Sequence, residues 1–325
     1  MATRRLILAR TAGLFAAALV APLRAFGQQF PARPIRIIVP FPPGGPADTA
    51  VRIPQPSMEK LLGQSVVIEN APGAAGNIGA VRVKQAEPDG HTLLQAASPH
   101  VTNAAIKPDA NVDLLRDFVP IGQTGISVYT LCASKALGAK TLADVIALAK
   151  AKPGELKIGS VGVGSAHHLV AEMLKSAAGI ELTHVPYRGE APAIPELITG
   201  RIDLMFLTTA KSYIDADQIV GLGVTWNEPW FNLPNIKPLS ELGLKDFVVP
   251  GWNGLMAPKG TTPAVVAKLS AALSASLKTD AAVHAFNAMG FKPGAGTPEP
   301  MKQQIENDMR LFTTVIRERK LKFDT

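Results

Sequence analysis

Short apolar runs alternate along this chain with longer stretches in which apolar residues recur at helical spacing. Runs rich in Val, Ile and Leu, bounded by Gly, Pro or Asp, predict strands. They fall at 35–39, 66–69, 92–96, 118–123, 129–133, 157–160, 182–186, 204–207, 220–225 and 254–257. Helical spacing is clearest over 141–151, 166–178, 191–199, 263–277 and 298–320. Thr141 and Thr297 stand at helix starts as hydroxyl caps, and Pro298 is tolerated in a first turn. Pro54 and Pro56 fall inside the first helical stretch and predict a short or kinked helix. Alternation of this kind predicts an α/β fold, doubly wound, with mostly parallel sheets. The two last helical stretches follow the final strand and are expected to fold back over the first lobe. Lobe 1 then comprises residues 28–127 plus 252–325, and lobe 2 residues 128–251.

Two strand-to-helix turns stand out. The run 35–39 leads into Pro40-Phe41-Pro42-Pro43-Gly44-Gly45-Pro46-Ala47-Asp48, and 157–160 leads into Val161-Gly162-Val163-Gly164-Ser165. Prolines stiffen the first turn and glycines allow close approach of its backbone. Unpaired amides at a helix start attract carboxylate or phosphate, so one turn on each lobe predicts a clamp around an anion. Asp48 has two readings, a cap of the following helix or a ligand contact. The small residues of 69–79 would pack closely against the first turn.

The first 27 residues fit an export signal. Arg4, Arg5 and Arg10 precede an apolar run from Ala12 to Val20, and Ala25-Phe26-Gly27 supplies small residues for cleavage. Arg4-Arg5 also fits a twin-arginine signal. The apolar run is too short to span a bilayer. Removing this segment takes away four arginines, so 33 basic against 26 acidic residues becomes 29 against 26, a charge of +3 instead of +7. So mild an excess, without an arginine-rich run, argues against nucleic acid. One cysteine, Cys132, excludes an internal disulfide and sits in an apolar run as a buried side chain.

Other chemistries find little support. The Gly162–Ser165 turn lacks the third glycine of a dinucleotide fingerprint, so no cofactor is expected. Ala166 and His167 follow Ser165, which is not the pattern of a hydrolase elbow. His168 and Glu172 could share a helix face, yet no further ligand cluster supports a metal. His167 reads as a helix-start histidine donating to an anion or a neighbouring backbone group. Ser165, His167, His168 and Glu172 do not assemble a nucleophile, base and orienting group, so no enzyme is expected.

The stretches PIRIIVPFPPGGPAD (34–48), LGQSVVIENAPGAAGNIGA (62–80), PDGHTLL (88–94), RDFVPIG (116–122), LADVIALAKAKPGELKIGSVGVGSAHHLVAEML (142–174), HVPYRGEAPAIPELITGRIDLMF (184–206) and GLMAPKGT (254–261) run through the whole mature chain. In that order they resemble the Bug/TctC family, the extracytoplasmic solute receptors of tripartite tricarboxylate transporters. The resemblance implies a type II periplasmic binding protein, whose two lobes close on one carboxylated solute. It implies a monomer in the periplasm that works with a large and a small membrane subunit. A solute-sensing subunit for a membrane kinase, or a receptor for aliphatic di- or tricarboxylates, is the alternative. Carried over by position, the ligand contacts are Phe41, Gly44, Gly45, Ala47, Asp48, Ser98, Gly162, Gly164 and Ser165, with His100 and His167 beside them.

The departures concern polarity. Where relatives read roughly G-N-G-T-S-Q-H-L, this chain has Val163 for the asparagine and Ala166 for the serine. Leu207-Thr208 stand where Asp-Asn is common, and Trp226 where serine is common. Loss of hydrogen-bonding groups and gain of an indole favour a bulkier, flatter or more apolar solute, because the polar groups of a small amino acid would be left stranded there at a cost in affinity. The expectation is an aromatic carboxylate, most sharply a terephthalate-like diacid. The competing expectation is that Trp226 packs outside the pocket.

Overall fold

In this computed structural model residues 30–107 and 111–321 are described; the export signal expected at 1–27 lies outside them. The first part of the chain forms β1 (Ile35–Val39), α1 (Pro46–Arg52), α2 (Gln55–Leu62), β2 (Val66–Asn70), α3 (Asn77–Lys84), β3 (Thr92–Ala97), α4 (Ser98–Ile106), α5 (Leu114–Asp117) and β4 (Phe118–Val128). Next come β5 (Thr130–Ser134), α6 (Leu142–Ala151), β6 (Lys157–Ser160), α7 (Ala166–Ala178), β7 (Thr183–Pro186), α8 (Glu190–Ile198), β8 (Leu204–Leu207), α9 (Ala210–Asp215) and β9 (Ile219–Val224). The remainder is β10 (Pro250–Pro258), α10 (Pro263–Leu277), α11 (Asp280–Ala288), β11 (Lys292–Pro293) and α12 (Pro298–Glu318).

Two sheets result, ordered β11-β4-β10-β3-β1-β2 and β7-β6-β8-β5-β9. The first therefore holds strands from both ends of the described chain. β1 lies parallel between β2 and β3, and β6 lies parallel between β7 and β8. β10 runs antiparallel to β3 and β4, and β5 antiparallel to β8 and β9. The sheets are mixed, not mostly parallel as expected. Antiparallel pairing is concentrated on the strands by which the chain leaves one sheet and enters the other.

Those crossings are tightly joined. A single residue, Tyr129, separates β4 from β5, and the chain returns between β9 and β10 through residues 225–249. Thr225 binds both crossings. Its amide donates to Tyr129 O at 2.9 Å, and its carbonyl accepts from Val249 N at 2.9 Å. Its hydroxyl accepts from Tyr129 N at 3.0 Å and donates to Val249 O at 2.7 Å. Thr225 is fully buried, so water cannot replace these bonds. β4 and β10 also extend beyond the expected runs, because Gly125, Ile126, Ser127 and Val128 pair along β10 although Gly125 and Ser127 break the apolar pattern.

Local signals behave as their chemistry requires. Thr141 caps α6 in a reciprocal box, its hydroxyl accepting from Asp144 N while Asp144 accepts from Thr141 N. Thr297 precedes α12 but makes no side-chain cap. Pro300, three residues on, has no N–H to offer it. The first helical stretch breaks at Ile53-Pro54, giving α1 and α2. Ile35, Ile37, Ile38, Leu93 and Leu94 are fully buried in the first sheet, each worth about 1.5–3 kcal/mol of apolar burial. Cys132 is sealed in β5 and burial pushes its thiol pKa up. None of the described helices is long and apolar enough to cross a membrane.

Thr225→Val keeps the shape of the side chain but strands Tyr129 N and Val249 O. Loss of roughly 2–4 kcal/mol in chemical denaturation is expected, with Thr225→Ser losing under half of that.

Candidate functional site

A cavity of about 700 Å³ opens between the two sheets. The first lobe lines it with the turn Phe41–Ala47, with Ala97, Ser98 and Pro99 at the start of α4, and with Gly251, Trp252 and Asn253 of β10. Ser127 and Tyr129 form part of its floor, and Phe291 closes one side. The second lobe contributes Val161, His167, Gly189, Glu190, Thr208 and Thr209. A cavity of about 530 Å³ adjoins it across Thr208 and Thr209, against Val128 and Thr130, and another of about 810 Å³ lies on α10. Strand residues alternate in direction, so Val128 and Thr130 face away from Tyr129 and its cavity.

The proline–glycine turn is held by a polar knot beneath it. Asp48 Oδ2 accepts from Gly44 N at 2.9 Å and from Arg52 Nε at 2.7 Å. Its Oδ1 accepts from Asn70 Nδ2 at 2.9 Å, and Asn70 Nδ2 also donates to Phe41 O. Burial raises the Asp48 carboxyl pKa, but Arg52, the Gly44 amide and Asn70 outweigh it and hold the group below its ordinary value. Asp48 is 2% exposed, supports the turn from behind and does not line the cavity. His100 is likewise behind the turn. Its Nδ1 accepts from Ala97 N at 3.2 Å, and the Phe41 ring meets its edge at 5.5 Å. Burial lowers the His100 pKa to about 4, so the ring is neutral. A Cβ on Gly76 would lie 2.8 Å from His100 Nε2, which explains a glycine there.

The second turn also spends its amides internally. Gly162 N donates to Ser160 Oγ and Gly164 N to His168 Nδ1, each at 3.1 Å. Ser165 Oγ donates to Gly162 O and accepts from His168 N, capping α7. Gly162, Gly164, Ser165 and Ala166 therefore shape the turn, while Val161 and His167 on either side of it reach the cavity. His168 stacks on His184 with centroids 3.8 Å apart, and burial lowers both pKa values to about 4. Its expected neighbour Glu172 pairs with Lys175 at 2.8 Å and faces Arg319.

At the far wall His167 meets Glu190. Glu190 Oε1 accepts from His167 Nε2 at 3.0 Å, from Thr208 N at 2.8 Å and from Thr208 Oγ1 at 2.7 Å. Oε2 accepts from Thr209 Oγ1 at 2.6 Å. Burial raises the Glu190 pKa, but His167 and the threonines more than offset it and bring it down to about 2. An ionised carboxylate only accepts, so His167 Nε2 carries the hydrogen. The Tyr129 ring stands edge-on to His167, centroids 5.0 Å apart. Burial, with the charges of Asp308 and Glu190, pushes the Tyr129 hydroxyl pKa up, so it remains a donor.

On the floor, Trp252 joins the cavity to the core. Its amide donates to Ser98 Oγ at 2.9 Å and its indole to Asp308 Oδ2 at 2.8 Å. Burial pushes Asp308 up to about 7, against the pull of Trp252 and Gln304. Ser127 Oγ and Tyr129 Oη lie 2.5 and 3.6 Å from the point a Cβ on Gly251 would take.

Of the residues expected at the ligand, Phe41, Gly44, Gly45, Ala47, Ser98, His167 and Thr208 come together around this cavity. Leu207 is fully buried in β8 and points into the core. Trp226 packs edge-on against Trp230, centroids 5.6 Å apart, in a satellite cluster with Val128 and Val224. Its indole is not in the cavity; aromatic surface comes from Phe41, Tyr129, Trp252 and Phe291. Sequence reasoning missed Glu190 and the floor. The signal for Tyr129 and Trp252 was their place at the chain crossings, where a residue necessarily faces both lobes.

The tripartite tricarboxylate transporter family receptor model, TctC, matches residues 50–321. Protein BugT of Bordetella pertussis is 32% identical over 306 residues, covering 93% of each chain. Rpa4515 of R. palustris, solved with adipate, is 30% identical with a TM-score of 0.77, over 89% of this chain and 97% of that one. MatC of Rhodopseudomonas palustris, solved with bound malate, is 29% identical with a TM-score of 0.73, over 88% and 100%.

Asp48→Ala leaves the Gly44 amide without its partner, while Arg52, 45% exposed, can turn to water; a loss of roughly 1–3 kcal/mol is expected from thermal and urea melts. Asp308 gives a pH signature. Its folded pKa lies above the unfolded value of about 3.9, so stability falls as pH rises between about 4 and 7. Asp308→Asn removes that slope. The variant is expected to match wild type at pH 4.5 and exceed it at pH 8, by at most about 4 kcal/mol.

Proposed function

The chain belongs to the TctC family of tripartite tricarboxylate transporter receptors, and on that footing we propose that it captures a small organic carboxylate in the periplasm. Members of this family are periplasmic binding receptors, not enzymes. The solute enters the cleft, the lobes close over it, and the loaded receptor delivers it to the large and small membrane subunits. The export signal read at residues 1–27 supports that location.

One observation carries this reading: the 700 Å³ cavity is walled by both lobes, with the stiff Phe41–Ala47 turn on one side and His167 and Thr208 on the other. Closure by rotation about the two crossings would bury the solute between them. Two similar proteins were solved with carboxylates, adipate and malate, which supports the same class here.

The lining favours a solute with an aromatic or otherwise apolar body. Four aromatic residues and four prolines line the cavity, and among the described residues no lysine or arginine does. Ser127, Tyr129 and Asn253 offer polar atoms on the floor for the anionic end. A buried donor loses affinity when its partner is absent, so the orientation of the solute is set there. On this reading the apolar preference rests on Phe41, Tyr129, Trp252 and Phe291 instead of Trp226.

Melting shifts across benzoate, terephthalate, adipate, citrate and aspartate test the reading. An aromatic acid at a hundred times its Kd is expected to raise Tm on the order of 5 °C. Trp226→Phe leaves the ranking unchanged. Preference for aspartate or citrate over both aromatic acids would refute the apolar assignment.

A further inference from the structure

We propose that Glu190 is a specificity-determining residue: its carboxylate fills the position where the second lobe would hold a ligand carboxylate, so the receptor selects solutes with one carboxylate over diacids. The inference rests on the receptor reading above and narrows its solute.

The argument starts from the donors. His167 Nε2, Thr208 N, Thr208 Oγ1 and Thr209 Oγ1 converge on one carboxylate with distances of 2.6–3.0 Å. A backbone amide, two hydroxyls and an imidazole N–H are the groups that recognise a carboxylate in a cleft. All four residues involved line the cavity between the lobes. The carboxylate they recognise is the chain's own. Glu190 is the first residue of α8, and it follows Gly189, whose φ of 140° is reserved for glycine. That turn brings the side chain back over the end of β8, where Thr208 and Thr209 begin the next loop.

Two consequences follow for a solute. The donors of the second lobe are already engaged, so a second ligand carboxylate would enter without partners. It would also meet a like charge in a site of reduced dielectric, which disfavours its ionised form. Among the described residues no lysine or arginine lines the cavity to offset a further negative charge. A single carboxylate can still use Ser127, Tyr129 and Asn253 on the floor, leaving its apolar body toward Glu190 and the aromatic rings. The terephthalate-like diacid expected from the sequence is thereby replaced by its one-carboxylate counterpart.

The test measures affinities of the mature protein for matched pairs, benzoate with terephthalate and hexanoate with adipate, by calorimetry at one pH. Wild type is expected to bind the monoacid of the better-bound pair at least tenfold more tightly than its diacid. Glu190→Ala empties the donor set and is expected to raise the diacid-to-monoacid affinity ratio tenfold or more. Glu190→Gln keeps the space filled but removes the charge, and its ratio is expected to fall between the two; it also serves as the folded variant if the alanine form does not fold. The inference is overturned if wild type binds a diacid as tightly as its matched monoacid. It is equally overturned if no folded variant raises the ratio threefold. Failure of every carboxylate to bind wild type overturns the parent reading together with this one, whereas diacid preference in wild type leaves the parent reading standing.

Discussion

The two lobes depend on a four-bond joint at Thr225. Its backbone and hydroxyl reach Tyr129 on the outgoing strand and Val249 on the returning chain. Each bond is modest, but buried partners left unpaired would cost more than the bonds themselves contribute. The joint therefore keeps both crossings in one place while the backbone on either side can rotate. Tyr129 belongs at once to the joint and to the cavity floor, so motion of the lobes and occupancy of the cleft meet in one residue.

Around that joint the protein uses its own polar groups to prepare the cleft. Asp48, Arg52 and Asn70 hold the proline–glycine turn from behind. Ser98 and Asp308 hold Trp252 by its backbone and its indole. Ser160, Ser165 and His168 fold the second turn onto itself. What faces the cavity is consequently rigid and mostly apolar, with polar atoms at two ends. A site ordered before binding loses less freedom when the solute arrives.

Much of the architecture could be read from the chain. Strand runs at 35–39, 157–160 and 204–207, and helices at 166–178 and 263–277, follow directly from apolar spacing. Less legible was anything that needs two distant segments. Thr124, Gly125 and Ser127 look like the end of a strand until β10 lies beside Gly125 and Ser127. In sequence the glycine-rich turns look like open amide cradles, yet Asp48, Ser160 and His168 take the amides of Gly44, Gly162 and Gly164. Nothing local distinguishes an amide facing a ligand from one facing a side chain four residues on. Glu190 escaped notice for a similar reason: a lone acid in a small-residue turn gains meaning only when Thr208 and His167 arrive from other elements. Trp226 was the converse, an aromatic substitution whose partner, Trp230, lay close by in sequence.

Cys132 gives the molecule a private reporter. It occupies β5 between β8 and β9, with no accessible surface and a thiol held in its protonated form. Alkylating reagents attack thiolates they can reach, so labelling waits until that sheet parts. Rigid swinging of the lobes leaves it silent, and the rate of modification then times the breathing of one half of the protein alone.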